Sequence, residues 1–192
     1  GREIGKKLAE AYGIPFYDNE LITRAAKESG FAEENFAKAE DRATNSLLYS
    51  LAMGINVYGN QDFGFNGLSL DDRIFLAQSD VIRKVADEGP CVIVGRCADY
   101  VLKDMDCVAS FFIVADAEAK LQRTMETKQL SQRDAEATIK RHDRNRKTYY
   151  KDHTDMEWGN SKNYDMTINS TVLGFKKTAD IIEDFVKTKF DL

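Results

Sequence analysis

The densest positive charge in the chain lies at residues 140–147, which read Lys-Arg-His-Asp-Arg-Asn-Arg-Lys. The guanidinium group of arginine is always charged and fork-shaped, so it suits phosphate oxygens. On a helix, the spacing of Asp143 and Arg146 allows the carboxylate to hold the guanidinium group. Arg141 and Arg144, on a neighbouring face, would then reach an anion. The alternative is a solvated helix face with ordinary salt bridges, and charge pattern alone favours it.

The segments at 149–153 and 158–161 are polar and precede the last predicted strand. They predict a mobile flap joined to the basic cluster. Cations on a flap that closes over a triphosphate would suit phosphoryl transfer, in which catalysis rests on positioning and charge stabilisation.

Two further charged residues, Asp18 and Arg96, each follow an apolar run that predicts a strand. In open α/β sheets, ligands bind at the carboxyl ends of the strands. Asp18 there could orient an acceptor hydroxyl or a magnesium-bound water, or it could cap the next helix. Arg96 could bind a ligand or pair with a nearby acid.

A predicted helix that opens with a capping box at Ser69 carries Arg73 and Gln78. If this helix faces a substrate cleft, Arg73 could grip a monophosphate and Gln78 a base edge. Surface placement is the default for both. Cys97 is a weak candidate nucleophile because no local motif ties a histidine to it, and Asp99 is predicted to be a helix cap and not a metal ligand.

The chain opens with an amphipathic helix that Gly13 ends, followed by a short strand that ends at Asp18. A phosphate-binding α/β domain has this order just after its glycine-rich loop. The order predicts that the first strand and most of the loop lie upstream of Gly1. The match to a Walker A motif is poor, because Lys7 stands where Ser or Thr would bind Mg²⁺.

Apolar runs at 90–95 and 108–114 predict strands buried on both faces, and 164–169 predicts a last strand. Helices are expected at 19–28, 33–53, 69–89 and 116–125, from 131 onward, and at 174–189, with a loop at 54–67. Because strands alternate with helices, the sequence predicts a single α/β domain with a parallel sheet and helices on both faces.

The net charge, apolar content, and cysteine and histidine counts argue against several classes of function. The 192 residues carry a formal net charge of −5, which argues against bulk electrostatic binding of nucleic acid. No apolar run is long enough to span a membrane, so we expect no membrane partner. Three cysteines without CxxC spacing predict reduced thiols and a cytoplasmic protein. Two histidines make a zinc site improbable.

Four stretches together resemble the cytidylate kinase-like proteins, which are P-loop kinases of the nucleoside monophosphate kinase type. They are residues 1–9, 14–22, 89–100 and 164–174. The opening segment and Gly-Arg-Cys-Ala-Asp at 95–99 are the most specific. The resemblance covers nearly the whole chain. It implies a three-layer P-loop kinase fold with a helical substrate-binding insert at about 30–88 and a lid at about 131–163.

The resemblance also implies roles for individual residues. Asp18 falls where cytidylate kinases keep an aspartate after the second strand. Arg96 falls on the arginine of their Gly-Arg-Asp, with Cys97 replacing the aspartate. The lid motif Arg-x-Asp-x-x-Arg falls near Arg141, Asp143 and Arg146.

The sequence departs from the family pattern at two places. The P-loop lysine position falls on Gly1, and the Ser/Thr that should follow falls on Arg2 and Glu3. Arg2 would supply the missing positive charge, whereas Glu3 could disturb Mg-nucleotide binding. No acid precedes Gly95, where cytidylate kinases have one, which bears on the identity of the substrate.

The sequence thus predicts transfer of the γ-phosphoryl group of ATP, with Mg²⁺, to a small acceptor such as CMP or dCMP. The residues expected to act are Gly1, Arg2 and Glu3 at the nucleotide, Arg73, Gln78 and Arg96 at the acceptor, and Asp18, Arg141, Arg144 and Arg146 in catalysis. Two alternatives stay open: a nucleotide or anion sensor that lost turnover, and a kinase of another small hydroxyl compound. A homodimer through the apolar insert also stays open.

Overall fold

The computed structural model describes residues 1–18, Leu21, Arg24 and 69–192, except the side chains of Leu70 and Arg73. Leu21 and Arg24 are helical. The rest of the helices predicted at 19–28 and 33–53, and the loop predicted at 54–67, lie outside the described residues. So does most of the predicted insert.

The described helices are α1 (Arg2–Tyr12), α2 (Leu70–Glu88), α3 (Ala98–Val101), α4 (Ala117–Lys128), α5 (Gln132–Thr154) and α6 (Ser170–Phe190). The described strands are β1 (Phe16–Tyr17), β2 (Val92–Ile93), β3 (Phe111–Val114) and β4 (Met166–Asn169), and a 3₁₀ turn covers Ser161–Asn163. No helix in the described part of the chain is long and apolar enough to cross a membrane.

The described strands form two parallel pairs. In the first, β1 runs beside β2 with Phe16 opposite Val92. In the second, β3 runs beside β4 with Phe111 opposite Met166. Parallel pairing is confirmed. The side chains of β2 and β3 are partly buried, less completely than their apolar runs predict. Each strand has just one hydrogen-bonded neighbour among the described residues.

Neighbouring residues of β2 point into two different cores, because successive side chains of a strand alternate between its faces. Ile93 packs against a first core cluster that contains Tyr17 of β1, Ile74 and Ile82 of α2, and Leu102 beyond α3. Val92 packs against a second cluster, made by Ile4, Leu8, Ile168 and Ile182 of α1, β4 and α6. Helices therefore cover both faces, as the sequence predicts.

Gly5 lets α1 lie directly on the first sheet. A methyl group at this position would lie 3.1 Å from Cγ2 of Val94 and 3.3 Å from atoms of Phe16 and Val92. Contacts this short leave no room for a side chain. The absence of one brings the first turn of α1 close to the carboxyl ends of β1 and β2.

Local residues set several helix ends as predicted. Ser69 and Ser131 accept hydrogen bonds from the backbone N–H groups of Asp72 and Asp134, at 3.1 and 3.3 Å. Gly13 ends α1 in the left-handed conformation. Asp116 stands at the N-cap of α4, but its carboxylate accepts from Nδ2 of Asn169 at 2.8 Å and does not cap.

Residues 149–153, where the sequence predicts a mobile flap, form the last turns of α5. Tyr150 is buried, and the ring of His153 stacks on Phe75 of α2 with centroids 4.3 Å apart. Farther along, Trp158 packs edge-on against Phe112 at 5.1 Å. Through these ring contacts, both polar segments pack against other elements: His153 against α2 and Trp158 against β3.

The last helical segment spans Ser170–Phe190, and Gly174, where the sequence predicts the helix to start, has a non-helical conformation that divides the segment in two. Asp99 was expected to cap a helix. Instead, it lies in the first turn of α3, where Cys97 holds the cap position.

Candidate active site

The first pair at the site joins α1 to β1. Asp18 follows β1, and its carboxylate accepts a hydrogen bond from Nε of Arg2 in the first turn of α1. Arg2 is largely exposed, whereas Asp18 is mostly buried. The fold therefore brings together two residues that were expected to serve the nucleotide and catalysis.

Arg96 lies three residues after the end of β2, the strand beside β1, in a turn of unusual backbone conformation. Gly95, Arg96 and Cys97 have φ angles of 78°, 59° and 54°, in the left-handed region. For residues other than glycine this conformation costs about 1–2 kcal/mol each, and such strain clusters at functional sites.

The Arg96 side chain lies between charges of both signs. Burial lowers the pKa of its guanidinium group, the charge of Asp18 raises that pKa, and the charge of Arg146 lowers it. An arginine keeps its proton under such shifts. Asp18 and Arg146 thus both lie within electrostatic reach of Arg96, which follows β2 as Asp18 follows β1.

The pairing predicted within the basic cluster of α5 is confirmed. Oδ1 of Asp143 accepts from Nη1 of Arg146 at 3.3 Å. Oδ2 of the same carboxylate accepts from Nζ of Lys120 on α4 at 2.8 Å. The side chain of Arg146 is still 60% exposed. Asp143 therefore holds one nitrogen of the Arg146 guanidinium group, while most of the side chain stays open to solvent.

The other two arginines of the cluster, Arg141 and Arg144, are exposed on α5. Within the described ranges neither makes a hydrogen bond or an ion pair with another side chain. Their availability agrees with the expectation that they reach an anion, and it agrees equally with the solvated-face alternative.

Glu3 also has a partner on α4. Its carboxylate accepts from Nη2 of Arg123, whose guanidinium group lies 4.7 Å from the centroid of the Phe175 ring. Lys120 and Arg123 stand one turn apart on α4, so one helix holds both Asp143 and Glu3. Lys120 and Arg123 were not identified as site residues from the sequence. The only sequence feature that pointed to them was their spacing of three on a helix that follows a strand.

Gln78 is placed inside the protein and not on its surface. It is 1% exposed, and its Oε1 accepts from the hydroxyl of Tyr149 on α5 at 2.9 Å. Among the described residues, its Nε2 has no hydrogen-bond partner. Gln78 thus joins α2 to α5. The side chain of Arg73 lies outside the described part, so its predicted role stays a prediction.

Tyr150, also on α5, forms a second hydrogen bond, which joins this helix to α3. The hydroxyl of Tyr150 donates to Oδ2 of Asp99 at 2.6 Å. Burial raises the pKa of Asp99, and this hydrogen bond opposes the shift. Burial also raises the pKa of the Cys97 thiol to about 12, so Cys97 stays protonated and is unsuited to act as a nucleophile.

Across the described residues, no group of three histidine, cysteine or acidic side chains could hold a metal ion. Asp18 is the one predicted catalytic carboxylate. Magnesium is commonly bound by one or two carboxylates together with substrate phosphates and waters. Asp18 beside an anion-binding edge fits this mode of binding.

The described parts define a mixed α/β protein with small parallel sheets, helices on both faces, and arginines gathered at the carboxyl ends of two neighbouring strands. The chain belongs to the cytidylate kinase-like family, whose model matches residues 1–172. This confirms the resemblance and indicates a nucleotide kinase.

A similar solved structure is the crystal structure of an uncharacterized protein from Eubacterium ventriosum ATCC 27560. It is 27% identical, with a TM-score of 0.71, and the match covers 98% of this chain and 91% of that one. Among curated proteins, no match was found.

Proposed function

We propose that this protein is a P-loop kinase that transfers the γ-phosphoryl group of ATP to a nucleoside monophosphate, with CMP or dCMP as the first candidates. The observation that carries the proposal is that Asp18 and Arg96 follow the paired strands β1 and β2, with Arg146 of α5 within electrostatic reach of Arg96. Membership in the cytidylate kinase-like family supports a nucleotide substrate.

In the proposed reaction, an oxygen of the acceptor phosphate attacks the γ-phosphorus of ATP. The bond from that phosphorus to the β–γ bridging oxygen breaks, and ADP leaves. Arg96 and Arg73 bind the acceptor phosphate. Arg146, together with Arg141 and Arg144, stabilises negative charge on the transferring group, a task that arginines perform in other phosphoryl-transfer enzymes.

The remaining residues position these groups. Lys120 and Asp143 hold Arg146, and Asp18 orients the acceptor or a magnesium-bound water. When bound, Mg²⁺ supplies charge neutralisation at the β- and γ-phosphates. Arg2 contributes positive charge at the start of α1, where helix geometry favours anions.

The test uses the full-length protein, including any residues upstream of Gly1. It is incubated with Mg-ATP and a panel of nucleoside monophosphates, deoxy forms included, and ADP release is followed. We expect ADP to appear with CMP or dCMP and not with water alone. ADP release with none of the monophosphates would contradict the proposal and would direct the search to another hydroxyl acceptor.

A second candidate function, a nucleotide or anion sensor without turnover, is favoured by the ion pairs of α1. Arg2 binds Asp18 and Glu3 binds Arg123, so both charged residues at the expected P-loop positions are engaged by the protein itself. Saturable ATP binding without ADP release would support this candidate. ADP release dependent on an acceptor would exclude it.

The proposal also places the reaction in the cytoplasm. Cys91, Cys97 and Cys107 are all unpaired thiols in the structure, which fits the reducing cytoplasm. Gel filtration of the full-length protein tests whether it forms a homodimer.

A further inference from the structure

The turn that carries Arg96 has an unfavourable backbone conformation at two residues that are not glycine. Arg96 and Cys97 both stand in the left-handed region, directly after Gly95 in the same region. Only glycine adopts this conformation at little cost, and the two following residues pay a penalty. Such a conformation persists where the surrounding structure imposes it.

Two consecutive tyrosines of α5 supply the surrounding contacts. Tyr150 is buried and donates to Asp99 at 2.6 Å, which ties α5 to the first turn of α3, directly after the strained turn. Tyr149 donates to Gln78 at 2.9 Å and lies near the guanidinium group of Arg96. One tyrosine thus fixes the backbone beyond Arg96, and the other lies beside its side chain.

We propose that the hydrogen bond from Tyr150 to Asp99 is a positioning device that locks the strained turn at 95–97 and so aims Arg96 at the acceptor phosphate. The inference rests on the proposed function for the role of Arg96. Tyr150 and Asp99 are positioning residues that act through Arg96. Because α5 also carries Arg146, the same hydrogen bond sets the lid helix relative to the acceptor site.

The ligand-independent test measures amide hydrogen exchange in the full-length protein without substrate. In Tyr150→Phe, the amides of Ala98 and Val101, which bond to Gly95 and Cys97, should exchange about tenfold faster, since a hydrogen bond to a charged group is lost. The amide of Ile182 in α6 serves as a reference for global unfolding. Equal exchange at Ala98 and Val101 in wild type and variant would overturn the proposal.

Tyr100→Phe is the matched control. Tyr100 also belongs to α3, and its hydroxyl makes no hydrogen bond among the described residues. The same chemical change there should leave the exchange of Ala98 and Val101 unaltered.

The kinetic test is a double-mutant cycle with Arg96→Ala, run with the acceptor that gives the fastest turnover. Tyr150→Phe alone should lower kcat/KM for the acceptor about tenfold or more, with little change in KM for ATP. In the Arg96→Ala background it should have no further effect, because it acts through Arg96. Additive losses would overturn the proposal. Lack of turnover in the wild type would refute the kinase assignment, and the exchange measurement would still decide whether Tyr150 holds the turn.

Discussion

Arg146 combines two properties that a charge-stabilising arginine needs. Its Nη1 is held by Asp143, which Lys120 holds in turn, while most of the side chain remains exposed. A side chain of this kind can meet a phosphate without first being released from a buried contact. The network spans α4 and α5, so the position of Arg146 depends on two helices.

Arg146→Ala should lower kcat on the order of a thousandfold, because loss of an arginine that stabilises the transition state has effects of that size. ATP affinity should change far less. Steady-state kinetics and direct ATP titration measure the two quantities. Lys147→Ala, at the next exposed position of α5, is the control and should keep wild-type kcat. An unchanged kcat in Arg146→Ala would remove Arg146 from the mechanism.

Asp18→Asn keeps the shape of the side chain and removes its charge. We expect kcat to fall about a hundredfold, the lower end of the contribution of a positioned acid or base. The Tm should change little, because the ion-pair partner Arg2 is largely exposed and such pairs contribute up to about 1 kcal/mol. Asp87→Asn, an exposed acid on α2, is the control. Full activity of Asp18→Asn would exclude a role in the chemistry.

The sequence predicts the residue contacts that are local and misses those that are distant. Asp143 and Arg146 are one helical turn apart, so their spacing predicts their ion pair. The bond from Lys120 to Asp143 spans 23 positions, and the pair of Glu3 with Arg123 spans 120. No local pattern in the sequence encodes contacts of that range.

At the scale of the elements, helix starts are predictable and the end of α5 is not. Ser69 and Ser131 cap through neighbours three residues away, which is a local interaction. The last turns of α5 depend on α2 instead, since Tyr149 bonds to Gln78, 71 positions away, and His153 stacks on Phe75. The helical end of α5 thus rests on tertiary contacts with α2, which the polar composition of this segment does not predict.

The contact of α5 with α2 makes stability depend on pH through His153. This side chain is 7% exposed, and burial lowers its pKa below 6.5, although Asp71, Asp72 and Asp152 act in the opposite direction. Below its unfolded pKa the unfolded chain therefore binds more protons than the folded one, so stability falls as pH decreases.

His153→Phe keeps an aromatic ring against Phe75 and removes the titrating group. Between about pH 7.5 and about pH 5.5, the free energy of unfolding should fall less in the variant than in the wild type. Denaturant unfolding at the two pH values measures the difference. The control is His142→Gln, which changes the only other histidine. Equal pH dependence in His153→Phe and wild type would contradict this account.

A second element-scale contact fastens the end of α6 to the second sheet. Asp165 accepts from the backbone N–H of Ser110 at 2.7 Å and from Nζ of Lys189 at 2.9 Å. Partial burial raises the pKa of Asp165, but these donors outweigh burial and hold the pKa below its usual value. Its contribution to stability is therefore present near neutral pH and is lost as pH falls through the lowered pKa.

Asp165→Asn should lower the free energy of unfolding by about 1 kcal/mol, because the exposed contacts to Ser110 and Lys189 lose their charged acceptor. Asp184→Asn, an exposed acid on α6, should leave stability unchanged. Denaturant unfolding at neutral pH measures both. Equal stabilities of Asp165→Asn and wild type would show that this contact does not fasten α6.

At the scale of the whole molecule, apolar runs and their alternation with helices predict parallel strands and two helical layers. Both are observed, since Val92 and Ile93 point into different cores. The division of the strands into two pairs is not predictable, because the apolar runs in the sequence do not indicate which strands are neighbours. The grouping of Asp18 with Arg96 follows from the pairing of β1 with β2.

The most direct measurement of the central claim is transfer of label from γ-³²P ATP to CMP by the full-length protein with Mg²⁺, with the product identified by chromatography. The account predicts labelled CDP from the wild type and from Lys147→Ala, and a loss of labelled CDP on the order of a thousandfold in Arg146→Ala. Label that reaches no nucleoside monophosphate, or that reaches CMP equally in Arg146→Ala, would contradict it.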